Sequence, residues 1–306
     1  MIVTFGSLNP EFTGTFDTRG GAEKLALIES SLTIAGTSAC VAKAANLIGS
    51  QTLTIGFVGP QGSLESQMLG WAIMQSGLNF KLIEALDHTS FAFLPIDIAS
   101  KRNRLAGKRG LVVESMVQSV SSQVGDIVAS CPDAFGVATG LRCSEIPFAK
   151  AIYKSTVRGK RVLSPNRELC AKLDESLLGE VDCLVLNELE FESTSQTIGS
   201  LRDLGPRVVI VTKGRKGGEV LLNGFSSGSY EPFVMTERES PGTGDWFLGA
   251  LLAYFDKFSL SFDTVQTDEL GEALKFAATV AGYKAQFYGS AKGPESEFLQ
   301  KLIRQS

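Results

Sequence analysis

The stretch 239–249, ESPGTGDWFLG, joins a glycine turn, a carboxylate and the start of an apolar helix. Pro241, Gly242 and Gly244 favour the turn, and the apolar residues from Trp246 to Phe255 continue as a helix. N–H groups at a helix start, with glycines that allow close approach, form a cradle for an anion. Asp245 stands in that first turn, where a carboxylate beside an anion needs a proton or a cation between them. Transfer of a phosphoryl group to a hydroxyl meets that need: the cradle holds the moving group and Asp245 takes the hydroxyl proton. Taken alone, the same residue is equally well explained as an acid that favours the helix dipole.

Two further segments end apolar strands in polar residues. Residues 182–192, DCLVLNELEFE, deliver Asn187, Glu188 and Glu190 at a strand end, the usual site position in a parallel α/β sheet. An amide and a carboxylate there suit hydrated magnesium, which keeps several waters and takes few protein ligands. Glu188 and Glu192 read better as first-turn acids on a solvated helix. In residues 208–222, VVIVTKGRKGGEVLL, a buried strand ends at Thr212-Lys213-Gly214, and a Gly-Gly turn at 217–218 leads into another strand. No GxxxxGK[ST] occurs, and no strand leads directly into Gly242-Thr243-Gly244, whose third glycine, Gly249, comes too late for a dinucleotide fingerprint. A nucleotide-dependent oxidoreductase is therefore disfavoured.

The elements that must position these residues follow from pattern. Residues 1–6 and 53–58 read as strands. Residues 37–48 form a helix capped by Thr37 or Ser38 and closed at Gly49, and 66–76 form another. Strands at 134–140, 161–164, 182–187 and 208–212 alternate with helical stretches at 146–157, 168–178 and 190–204. Such alternation argues for a parallel sheet covered by helices on both faces. Two helices, 243–255 and 268–288, follow. Residues 13–33 are polar and irregular, whereas 88–114 are β-rich, with a basic run at Lys101, Arg102, Arg104, Lys108 and Arg109. Segments of about 11–32 and 88–114 are expected to form a small β lid within one domain spanning 1–306.

Composition bounds the rest. The 306 residues are 43% hydrophobic and 20% charged, enough for a substantial core, which excludes disordered, collagen-like and disulfide-stapled classes. A net charge of −4 gives no basic excess for a nucleic-acid backbone, and no apolar run reaches membrane-spanning length. Five scattered cysteines without a CxxC pair give zinc and iron–sulfur sites no spacing to rest on. Without a secretory pattern at the start, reduced thiols in a cytoplasmic protein are expected. One histidine, His88, leaves Ser-His-Asp or metal-dependent hydrolysis without its usual parts.

In order and spacing, the three strand-end and turn segments resemble the ribokinase-like (PfkB) carbohydrate kinase family, over about residues 3–289. SPGTGDWFLGA is similar to the family's TGAGD-F-GG loop, VDCLVLNELE to its strand ending in NxxE, and VTKGRKGG to its T-x-G-x-x-G turn. The resemblance implies a central, mostly parallel sheet flanked by helices, with a small β lid. It also implies ATP-dependent phosphorylation of a hydroxyl on a sugar or sugar-like molecule. Asp245 would be the base, with Gly242, Thr243 and Gly244 completing the anion hole. Asn187 and Glu190 would organise Mg2+ and phosphate, and Thr212, Lys213 and Gly214 would lie near the nucleotide. A monovalent cation is a further candidate cofactor, and a homodimer through the lid a candidate assembly.

The N-terminal half departs from that family pattern. FGSLNPEF keeps Asn9 of G-S-x-N-x-D but carries Glu11 for the Asp. AGTSACVAKAANLIG keeps Gly36 of GG-x-x-x-N-x-A, with Ala35 for the first glycine and Cys40 for the asparagine. FVGPQG lacks the acid of G-x-D-x-x-G, and SPNRE carries Ser164 where D-x-N-x-R has its Asp. Asn9, Glu11, Gly36 and Cys40 are the candidate acceptor contacts, with Cys40 equally readable as a small core residue. Lys101, Arg102 and Arg104 either grip a phosphate already on the acceptor, making this a phosphosugar kinase, or form a solvated edge, and a nucleoside kinase of the same family is a further alternative. A non-catalytic binder of the same fold is the remaining alternative. The altered sugar side motivates it, and the retained Asp245 weighs against it.

Overall fold

The structure, a computed structural model, describes residues 1–19, 27–99, 102–103, 105–222, 225–235 and 241–305. The first third of the chain forms β1 (Ile2–Gly6), β2 (Asn9–Phe16), β3 (Glu29–Ala35), β4 (Thr52–Val58), β5 (Phe80–Glu84), β6 (Phe91–Asp97), β7 (Arg102–Asn103) and β8 (Ala106–Lys108). Later come β9 (Phe135–Thr139), β10 (Arg161–Ser164), β11 (Cys183–Asn187), β12 (Val208–Thr212), β13 (Gly218–Leu222) and β14 (Phe225–Tyr230).

Nine strands make one sheet in the order β14-β13-β12-β11-β10-β9-β1-β4-β5, parallel from β12 to β5 and antiparallel at β13 and β14. Its central strands alternate between two buried faces. Ile2, Val137, Val162, Val185 and Ile210 point into one core, and Val3, Ala138, Leu163, Leu184 and Val209 into the other. Period-two side-chain alternation with both faces covered is why these strands read as continuous apolar runs. The first core is closed by the helices Thr37–Ile48, Thr243–Lys257, Thr267–Lys284 and Ser296–Gln305, the second chiefly by Val117–Ala129 and Ile146–Ser155. The mostly parallel sheet with helices on both faces is the fold class read from the sequence. The order in which strands are added reverses at β1, which has β4 on one side and β9 on the other. The carboxyl ends of β1 and β9 are thus the position at which parallel α/β sheets place their ligand crevice.

A second sheet runs β3-β2-β6-β7, with β8 also pairing β6. Residues 13–33, expected to be irregular, instead supply most of β2 and β3, which pair antiparallel from Asn9↔Ala35 to Thr15↔Glu29. Their Ser, Thr and Gly content hides the strand pattern, because β6 supplies the apolar neighbour that a single-chain reading cannot see. Two long helical expectations also divide. Residues 168–178 become Arg167–Cys170 and Glu175–Leu178, the second capped by Asp174. Residues 190–204 become Glu188–Thr194 and Ile198–Asp203, with Ser195 in the left-handed region and Thr197 as the new cap. A good cap inside an apolar-periodic stretch starts a fresh helix. Among the described residues, no helix is long and apolar enough to cross a membrane. All five cysteines are free thiols.

Candidate active site

Gly242 caps the helix Thr243–Lys257 with φ 82°, a conformation that glycine alone adopts freely. A Cβ there would come within 2.5 Å of the Ser290 carbonyl oxygen. Around Gly244, by contrast, a Cβ would meet nothing within 4 Å, so the turn opens on to space at that point. Five residues on, Gly249 lets this helix approach the helix Thr37–Ile48, since a Cβ would stand 2.4 Å from the Val41 carbonyl oxygen. That close packing accounts for the late glycine which does not fit a dinucleotide fingerprint.

Asp245 follows directly, half-buried in the first helical turn. Burial pushes its carboxyl up to about 7, the nearby Glu190 carboxylate adds to the rise, and the Lys284 ammonium opposes it. A carboxyl poised near neutrality, in electrostatic contact with both an acid and an ammonium, is suited to take up a proton during a reaction.

Asn187 ends β11 and caps the helix Glu188–Thr194. Its Oδ1 accepts from the Glu190 N–H at 2.9 Å, and Glu190 Oε2 accepts from the Asn187 N–H at 2.8 Å. The pair is thus a reciprocal capping box at a strand end. Burial raises the Glu190 carboxyl, with the Asn187 bonds opposing. The cap engages one of the carboxylate oxygens, leaving Oε1 for water or a hydrated cation. Among the described residues, no group of three or more His, Cys, Asp or Glu could hold a metal by itself. The donor set therefore suits magnesium that arrives with phosphate and keeps its waters, which needs only one or two carboxylates.

A cleft of about 680 Å³ reaches Asn187, Thr243 and Gly244, while Gly242, Asp245 and Glu190 are not among the residues that line it. Its polar wall carries Asn187, Thr212, Lys213, Gly214, Thr243 and Gly244, and its apolar wall includes Phe233, Val234, Met235, Phe247, Ala278 and Ala281. Thr212 Oγ1 donates to the Leu186 carbonyl at 3.3 Å, tying β12 to β11. Lys213 Nζ pairs with Glu219 at 2.5 Å, so its charge is balanced within the hairpin. The apolar wall was not singled out in the sequence, because a loop and two helices assemble it from distant segments.

The acceptor candidates lie elsewhere, and none lines this cleft. Asn9 is half-buried, and its Nδ2 donates to the Pro10 carbonyl at 3.3 Å. Gly36 (φ 95°) caps the helix Thr37–Ile48; Ser7 Oγ accepts from the Thr37 N–H at 3.0 Å, and Thr37 Oγ1 donates to the Thr139 carbonyl at 3.1 Å. Neither Thr37 nor Ser38 caps that helix, as Ser38 Oγ donates to the Ser7 carbonyl at 2.9 Å. Glu11 is buried, and both its oxygens accept from Ser290, at 2.8 Å from the N–H and 2.5 Å from the hydroxyl. Cys40 has no exposed surface and sits in the larger core, its thiol pushed well up by burial.

Lys101 and Arg104 lie outside the described residues, as does the side chain of Arg102. Arg109 is bound elsewhere: it donates to the Gly140 carbonyl at 3.0 Å and to both Glu145 oxygens, the closer at 2.7 Å. Lys284 and Ser290, absent from the sequence-based candidates, stand close to the turn. The visible signal was a lone charge in the otherwise apolar run FAATVAGYKA.

Known structures of the same shape are numerous, and none of the three described here exceeds 19% identity. A Burkholderia thailandensis nucleoside kinase in complex with inosine superposes with a TM-score of 0.70 at 15% identity, over 100% of this chain and 98% of its own. An Arabidopsis thaliana ribokinase complexed with ribose and ATP gives 0.67 at 19%, over 100% and 99%. An Escherichia coli phosphofructokinase-2 in complex with potassium gives 0.75 at 15%, over 99% and 98%. At such identities these likenesses establish the fold. No curated protein matches the sequence significantly. The pfkB family carbohydrate kinase profile, however, matches residues 1–296, and the chain accordingly belongs to the PfkB family of carbohydrate kinases.

Proposed function

We propose that this protein transfers the γ-phosphoryl group of ATP to a hydroxyl of a sugar or sugar-like molecule, with Asp245 as base. The observation that carries the reading is the partly buried Asp245 carboxyl, poised near neutrality, one residue past the open turn at Gly244 beside a cleft large enough for a nucleotide. The acceptor O–H gives its proton to the Asp245 carboxylate while its oxygen forms the new bond to γ-phosphorus. The bond from γ-phosphorus to the β–γ bridging oxygen breaks, and ADP leaves with that oxygen. The turn at Gly242, Thr243 and Gly244 faces the charge spread over the moving group.

The apolar wall at Phe233, Val234 and Met235 suits a base ring, and Thr212, Lys213 and Gly214 run along the opposite wall. Magnesium, held through Glu190 and water beside Asn187, would neutralise phosphate charge. The second sheet is read as a lid over the crevice at β1 and β9, with Asn9 and Gly36 at its root. A homodimer through that sheet would show as doubled mass in sedimentation.

The test is ADP release across plain sugars, phosphosugars and nucleosides, in potassium and in tetramethylammonium buffers. No release above background with any acceptor would end the kinase reading. A phosphosugar optimum that weakens on Arg102→Ala or Arg104→Ala would favour a phosphate-gripping lid, and a plain sugar or nucleoside optimum indifferent to both would dismiss it.

A further inference from the structure

Lys284 ends the helix Thr267–Lys284 with a side chain that has no exposed surface. A buried ammonium is costly unless charge and hydrogen bonds meet it, and an apolar side chain of similar volume would often be more stable there. Its Nζ donates to the Gly289 carbonyl at 3.1 Å and to the Phe287 carbonyl at 3.4 Å, both in the loop that follows its own helix. Three ionisable groups from three other elements lie within its field: Glu11 of β2, Cys40 of the helix Thr37–Ile48 and Asp245 of the helix Thr243–Lys257.

The loop held by Lys284 leads directly to Ser290. On one side Ser290 donates twice to Glu11, at the root of the second sheet. On the other its carbonyl accepts from Trp246 Nε1 at 3.2 Å and is the surface against which Gly242 closes the turn. One loop thus bears on both the proposed lid and the phosphoryl cradle, and one buried cation organises it.

We propose that Lys284 is a positioning residue of this active site: its buried ammonium holds the 287–290 loop against Glu11 and the Gly242 turn, and sets a positive charge in the field of Asp245. Burial lowers the ammonium to about 8, while Cys40, Glu11 and Asp245 pull it back up, consistent with a charge kept by its acidic surroundings. The proposal rests on the kinase reading for its effect on turnover, and on geometry alone for its effect on the turn.

The test replaces the charge in two ways. Lys284→Met keeps the chain length without the charge, and Lys284→Ala leaves a space of propylammonium size. With an acceptor found by the ADP-release panel, both variants should lose about 100-fold in kcat, the scale of a slightly misplaced reacting group. ATP affinity, read by calorimetry without any acceptor, should weaken about ten-fold, the weight of one charged hydrogen bond. Added propylammonium should restore both quantities in Lys284→Ala and neither in Lys284→Met, whose side chain fills the space.

A Lys284→Met protein with wild-type turnover and ATP affinity overturns the proposal. So does a Lys284→Ala protein whose melting temperature recovers with propylammonium while its ATP affinity does not, since the lysine is then only a plug. If Lys284→Ala does not fold, the Met variant decides. Should the wild type phosphorylate nothing, the kinase reading fails on its own, and the ATP-affinity arm still upholds or overturns the positioning of the turn.

Discussion

Two carboxylates share the field of one buried ammonium and are held in opposite ways. Glu11, at the root of the second sheet, is sealed off, with both oxygens taken by Ser290. Asp245, in the first turn of the helix Thr243–Lys257, is partly buried, and burial together with Glu190 holds its carboxyl near neutrality. The same residue chemistry serves as a structural anchor where both oxygens are bonded and, under the kinase reading, as a base where the carboxyl is raised toward neutrality. The contrast extends to the two halves of the site. The proposed phosphoryl side is built from strand ends and a helix start whose backbone geometry few residue types can reproduce. On the proposed acceptor side, Glu11 and Cys40 are held by side-chain bonding and packing, so they can differ from the family pattern while the backbone around them stays in place.

The strongest way to break this contrast is Asp245→Asn. Turnover should fall by roughly 10²–10⁴-fold, the usual weight of a positioned base, while ATP still binds. In the wild type, kcat/KM should climb as pH rises through about 7, because the base works ionised. Unchanged turnover in the folded variant would reduce Asp245 to a helix-dipole acid.

The glycine turn sharpens the comparison next. Gly242→Ala forces a side chain into a left-handed position against the Ser290 carbonyl, costing about 1–3 kcal/mol of stability as well as activity. Gly244→Ala meets no protein atom, so it should keep its melting temperature yet lose about 100-fold in kcat by intruding on the phosphoryl space. Equal thermal losses in the two variants would show that Gly244 is merely structural.

Glu190→Gln is smaller in effect. Gln can keep the cap by accepting from the Asn187 N–H, so the fold survives while the charge goes. The Mg2+ concentration for half-maximal rate should rise about ten-fold, with the acceptor KM little changed. A loss of rate that is the same at every Mg2+ concentration would assign Glu190 to the cap alone.

The smallest effect is thermal. The Asp245 carboxyl is raised in the folded protein, so its stabilising share is complete below its unfolded value of 3.8 and disappears as pH climbs to about 7. Asp245→Asn, neutral throughout, should therefore melt higher than wild type at pH 8 and show no such advantage near pH 4. Calorimetric scans at the two pH values check this.

Much of the proposed phosphoryl side's backbone was legible because its signals are local. Strands Arg161–Ser164 and Val208–Thr212 coincide with their sequence-read ranges, since apolar runs between turn residues leave few alternatives. Gly242, Asp245 and Asn187 stood out because turns, caps and strand ends demand particular residue types. The second sheet was half hidden: β2 and β3 are rich in Ser, Thr and Gly, and only pairing with β6 and with each other makes them strands. The basic run at 101–104 lies largely outside the described residues, whereas Arg109 proves to be committed to Glu145.

What the sequence determined by itself is the alternation of strands and helices, the glycine turn before Asp245 and the strand that ends at Asn187. Each follows from backbone rules that act over a few residues. Only the tertiary structure decided that Cys40 is core, that Glu11 is spent on Ser290, and that Lys284 lies buried within the field of Asp245. Burial and electrostatic coupling depend on which distant segments the fold brings together, and residues 11, 40, 245 and 284 meet only once both the main sheet and the second sheet have formed.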